Sequence, residues 1–227
     1  MHPVIDCRRK MIRTPADLAM STFPPIRLPD AQFAALEAAY AEPPRAYHDF
    51  DHVREVLRHH ADVAAGPGWA QPAETYLAVL YHDAIYEAGR SDNEIRSAEL
   101  AVAAIAKWLS GAPVDAARVA ELIELTARHG KFSPGDFGSG AIADDTRHFL
   151  DCDMAILGAE PAAFDAYDRG IATEYRGTVP AWLFRLNRRR FLKALLGRPR
   201  IYLSDFFHER YDARARANLR RAVNEKR

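Results

Sequence analysis

At 227 residues, 48% hydrophobic and 27% charged, the chain is long and apolar enough to bury one large core, and a single helical domain over 29–227 is expected. Basic and acidic residues balance at 31 each, which removes any overall field toward nucleic acid or an anionic membrane. Two cysteines, Cys7 and Cys152, make no disulfide framework and no zinc-finger spacing, no apolar run is long enough to span a bilayer, and the basic start from His2 to Arg13 lacks a secretory core; a cytoplasmic protein without membrane partners is expected.

Residues 1–28 hold Pro3, Pro15, Pro24 and Pro25 without periodicity and read as a loose N-terminal arm, with Met20 an alternative start. From Asp30 the pattern turns helical: Phe33, Leu36 and Tyr40 recur on one side, and Pro43-Pro44 ends the run. The spacing predicts a second helix from about Ala46 to Ala65, stopped by Gly66-Pro67-Gly68. A third starts near Pro72 and is apolar on nearly every side through Tyr86, the mark of a central helix. Gly89-Arg90-Ser91 breaks it, and Ser91 with Glu94 fits a capping box for a fourth helix to about Leu109. Asp115 opens a fifth, with Gly130 behind it. Lys131 to Ala143 reads as a surface loop, followed by helices over about 144–157, 160–176, 180–196 and 204–224. No alternating strand pattern appears, so the fold class is all-α.

The chemistry gathers in three places. His48 and His52 are four apart and share a face if both lie on the second helix, where they can reach one metal; a hydrogen-bonded core role is the plainer alternative. His82-Asp83 stands inside an apolar run, where an unpaired buried carboxylate costs several kcal/mol and a divalent cation is a natural partner. Asp151 and Asp153 form a third group, turned to different helix faces. Such a mixed nitrogen and oxygen set suits Mn, Fe, Co, Ni or Zn better than Mg. A metal of this kind lowers the pKa of bound water and polarises a phosphoryl oxygen.

The order His52, then His82-Asp83, then Asp153, on an all-helical chain, resembles the HD superfamily of metal-dependent phosphohydrolases. More narrowly, several stretches look like a bacterial group of HD-superfamily hydrolases: Tyr47-His48 with His52-Val53, Tyr81 to Tyr86, Asn93-Glu94 with Ser97-Ala98, and Leu150 to Asp153 with Ile156-Leu157-Gly158. The likeness continues through Glu174-Tyr175 and Ala215 to Leu219 and covers about residues 30–220. It implies an HD-domain-like helical bundle with extra C-terminal helices, in which His52, His82, Asp83 and Asp153 bind one divalent metal, or two if Asp83 bridges. Asp153 is preferred to Asp151 because Met154 to Gly158 resembles the stretch after the family's last aspartate. One departure is Ala172, where the group carries an arginine.

The function this implies is phosphohydrolysis of a nucleotide or another small phosphorylated metabolite by metal-activated water. His48, Asp83, Glu94 and His129 are the catalytic candidates. Glu94 serves as a general base or only as a helix-start residue, and His129 as a second-metal ligand, a phosphate contact or a C-terminal helix cap. Arg185, Arg188, Arg189 and Arg190, with Arg214, Arg216, Arg220 and Arg221, fit a solvated helix surface better than a nucleic-acid face, because acidic residues are mixed through the last helix. A binding or sensory module without turnover is the alternative function, and a homo-oligomer is left open.

Overall fold

The computed structural model describes residues 24–224. Most of the expected arm, with Cys7 and Met20, lies outside the described residues. Within them, Ile26 and Leu28 already pack against the core, so the folded domain begins ahead of residue 29. Among the described residues every regular element is helical, beside one isolated bridge between Arg176 and Val179. No helix among them is long and apolar enough to cross a membrane.

The elements are α1 (Asp30–Tyr40), α2 (Phe50–Ala65), α3 (Pro72–Tyr81), α4 (Asn93–Trp108) and α5 (Ala116–Thr126), then α6 (Ala141–Met154), α7 (Pro161–Glu174), α8 (Ala181–Leu196) and α9 (Asp205–Asn224). α3 is central, as its pattern predicts. Leu77 to Tyr81 are all buried, and α2, α4, α5 and α6 pack around it. The region read as a loop between α5 and α6 contains two 3-10 turns, His129–Lys131 and Pro134–Phe137, and α6 is continued by a third, Ala155–Gly158, on which α9 packs. Gly158 is required there, because a Cβ would stand 2.7 Å from the Tyr211 Cβ.

Of the helix ends that differ from expectation, three do so for a visible reason. α2 starts at Phe50 rather than Ala46, because the Asp49 carboxylate caps it by accepting from the amides of Asp51 and His52. His48 therefore precedes the helix and does not share its face with His52. α3 stops at Tyr81 instead of running to Tyr86. Arg45 donates to the carbonyls of Asp83 and Ala84, and the Tyr40 hydroxyl donates to the Leu80 carbonyl and accepts from the Asp83 amide. These contacts satisfy backbone groups that another helical turn would have used. Finally, the Ser91–Glu94 capping box does not form: Asp92 is the N-cap position, and its carboxylate is taken by Arg90.

Candidate metal centre

His52 sits in the first turn of α2, with its backbone amide held by Asp49. His82 is the residue at which α3 ends, and its Nδ1 lies 2.8 Å from the Val79 carbonyl. That contact makes Nδ1–H the donor, so the neutral ring keeps its lone pair on Nε2. Asp83 follows in the turn. Asp153 is the penultimate residue of α6. Four side chains from segments far apart in sequence thus meet in one place.

The Nε2 atoms of His52 and His82 are 3.0 Å apart. From these nitrogens Asp83 Oδ2 lies 3.5 and 3.2 Å away, and Asp153 Oδ1 lies 3.3 and 3.6 Å away. Two ligands at right angles on a cation with bonds of about 2.1 Å stand about 3 Å apart, so these separations are those of a coordination shell. His52, His82 and Asp83 form a group able to hold a metal ion. The donor set fits the role, because lone pairs and carboxylate oxygens crowded this closely need positive charge between them.

Without a cation, the same crowding shows in how the four groups shift one another's proton affinity. Burial works against charging His52, but hydrogen bonds to Asp153 and Asp83 outweigh it and raise its pKa. Burial likewise opposes the charge on His82, and the Asp83 carboxylate leads the effects that carry it well above the usual histidine value. Asp83 and Asp153 resist burial in the opposite sense: His82 and His48 hold the first carboxyl well below its usual range, and His129 holds the second there. The cluster binds positive charge.

The remaining candidates line a cavity of about 250 Å³ that opens on Asp83 and Asp153. His129 is not an α5 cap. It comes after the helix in a 3-10 turn, and its Nδ1 lies 2.7 Å from Asp153 Oδ2, so one carboxylate faces the histidine pair and His129 at once. Glu94 lines the cavity with no hydrogen-bond or ion-pair partner among the described residues. His48 reaches it from the turn before α2, stacked on Tyr86 with ring centroids 4.0 Å apart.

What fixes His48 is Glu174, a residue to which the resemblance assigns no role. Its buried Oε1 accepts from the amides of Ala46, Tyr47 and His48, and its Oε2 lies 2.7 Å from His48 Nδ1. The close approach is allowed by Gly170 one turn earlier in α7, where a Cβ would stand 2.9 Å from the Tyr47 Cβ. Although burial raises the Glu174 pKa, His48 and the backbone amides bring it down to about 2. Glu174 therefore leaves Nε2 as the free nitrogen of His48. Arg45, which donates to the His48 carbonyl as well as to those of Asp83 and Ala84, ties this turn to the end of α3.

Asp151 stands apart from the cluster. Its carboxylate accepts from the amides of Leu203 and Ser204 and pairs with the Ser204 hydroxyl, anchoring the approach to α9. Burial pushes its pKa up to about 7. The C-terminal arginines are mostly structural ties: Arg188 to Asp168, Arg214 to Glu160, Arg216 to Asp212 and Arg221 to Asp165.

Family models, curated proteins and solved structures contain no match to this chain. The chemistry open to the site is set by its own geometry. It can hold a divalent cation beside a small cavity, with a free carboxylate and two braced imidazoles around the opening.

Proposed function

We propose that this chain is a metal-dependent phosphohydrolase with an HD-type helical core, acting on a nucleotide or another small phosphorylated metabolite. One observation carries the reading: two imidazole nitrogens 3.0 Å apart meet two carboxylates that line a cavity. His52, His82, Asp83 and Asp153 would hold the cation, with Mn, Fe, Co, Ni or Zn preferred to Mg because half the ligands are imidazoles. A cation there supplies Lewis acidity toward water and a phosphoryl oxygen.

The protein's own groups supply the rest. The unpartnered Glu94 carboxylate is free to take the proton of the attacking water. His48, held at Nδ1 by Glu174, presents Nε2 to the leaving-group oxygen or to phosphate. His129 orients Asp153 through its second oxygen. The cavity, at about 250 Å³, is smaller than the roughly 300–1,000 Å³ that encloses a whole organic ligand, which suits it to the phosphoryl group alone.

The test is phosphate release from a panel of nucleotides and phosphomonoesters by metal-loaded wild type and Asp83→Ala. We expect at least one substrate to be turned over by wild type and the variant to lose about a thousandfold or more, the scale of removing electrostatic stabilisation at a reacting centre. Equal release by both proteins contradicts the hydrolase reading. Metal retained without turnover would favour a binding or sensory module.

A further inference from the structure

A second, larger cavity of about 810 Å³ adjoins the metal-site cavity, and the two share Tyr175 and Arg188 in their walls. Its apolar floor includes Val179, Phe184 and Leu192. Around it stand Arg169 and Arg176 from the α7 end, and Arg185 and Arg189 one turn apart on α8. None of these four has a carboxylate partner among the described residues, in contrast to the paired arginines elsewhere on the C-terminal helices. Four uncompensated positive charges around an apolar floor describe a site for an anion with an apolar body.

The junction adds a second observation. Arg188 donates its Nε to Asp168 at 3.0 Å and lies over the Tyr167 ring, 4.8 Å from its centroid, yet its buried Nη2 has no well-aligned acceptor. A buried guanidinium N–H without an acceptor is costly, and an acceptor passing between the two cavities would satisfy it.

We propose that the arginine-lined cavity binds the part of the substrate distal to the scissile phosphate, an aromatic or aliphatic body carrying at least one further negative charge, with Arg188 contacting the group that joins the two parts. The position of the scissile phosphate rests on the metal-centre reading; the anion site does not. The substrate is then a nucleotide-like phosphoester rather than a simple neutral alkyl phosphate.

The experiment is calorimetric titration of metal-loaded wild type and Arg185→Gln/Arg189→Gln with adenosine 5′-(α,β-methylene)diphosphate and with methylenediphosphonate, with metal content measured on the same samples. Both arginines are exposed and unpaired, so the variant should keep the wild-type unfolding midpoint. We expect the adenosine probe to bind the variant at least about tenfold more weakly, the loss of roughly one charge-assisted hydrogen bond, while methylenediphosphonate binds both proteins alike. Equal affinities for the adenosine probe, or no binding to wild type, would overturn the proposal. So would a change of oligomeric state in the variant without a change in affinity, which would make the exposed Trp182 and Leu186 side of α8 a contact between copies. If wild type holds no metal but still binds the probe in an arginine-dependent way, the anion site stands and the metal-centre reading falls.

Discussion

Glu174 does the most positioning with the least sequence signal. Its partners are the amides of residues 46–48, more than 120 positions away, and no local pattern announces such a contact. Its pKa of about 2 lies below its ordinary 4.5, so its contribution is fully present above about pH 4.5 and is lost as the pH falls toward 2. The gap corresponds to about 3 kcal/mol at neutral pH. Urea unfolding should therefore show Glu174→Gln less stable than wild type at pH 7 by up to that amount, with the difference narrowing by pH 3; a difference independent of pH would contradict the assignment. Asp151 and Asp153 make a second contrast, because two carboxylates two residues apart do different work. Asp151→Ala leaves the Leu203 and Ser204 amides buried and unpaired, so it should cost about 2–3 kcal/mol of stability and spare metal binding. Asp153→Ala should lose the metal while the fold survives. Metal analysis and urea melts on the pair check both outcomes. The choice between them was legible in the sequence only through resemblance, and the backbone donors that claim Asp151 come from the distant approach to α9.

At the scale of elements, helix existence was readable and helix ends at the site were not. Apolar spacing marks α1 to α9 because each buries a stripe against the same core. The ends are set by groups from elsewhere: Arg45 and Tyr40 stop α3, and Asp49 delays α2. This matters for chemistry, since a helix continuing to Tyr86 would carry Asp83 about 100° around its axis from His82. His82 still has helical backbone angles, and both His82 Nε2 and Asp83 Oδ2 come within 3.5 Å of His52 Nε2. After the doublet, the chain is clamped to α4 by Asn93, whose side chain accepts from the Glu87 amide and donates to its carbonyl, and by Ser97, which does the same at Ile85. Replacing Asn93 with Ala should cost about 1–2 kcal/mol of stability and weaken metal binding, because Asp83 lies at the start of the clamped segment. Denaturant melts and a competitive metal titration test this; an intact metal affinity would show that the clamp does not position Asp83. Gly170→Ala is expected to act at the other wall, pressing on the 46–47 turn and displacing His48.

Over the whole molecule, the core gathers around α3, and the cluster lies where α2, α3 and α6 converge on its C-terminal end. The all-helical class was legible in the apolar spacing of the segments, whereas the meeting of His52, His82, Asp83 and Asp153 was legible only through the resemblance. The arginine-lined cavity was not, since it arises where the α7 end, α8 and the α9 end meet, with α8 packed on α9, and from which arginines find carboxylates. A cation held by the native cluster and not by the unfolded chain also stabilises the whole fold, by about 2.7 kcal/mol at a free concentration one hundred times its dissociation constant. The most direct test of the account is the metal content of wild type and of His82→Ala after equilibration with Mn, Co, Ni or Zn and removal of unbound ion. At least one ion per wild-type chain, absent from a folded His82→Ala, is the result predicted. No bound ion in wild type, or the same content in both proteins, would contradict it.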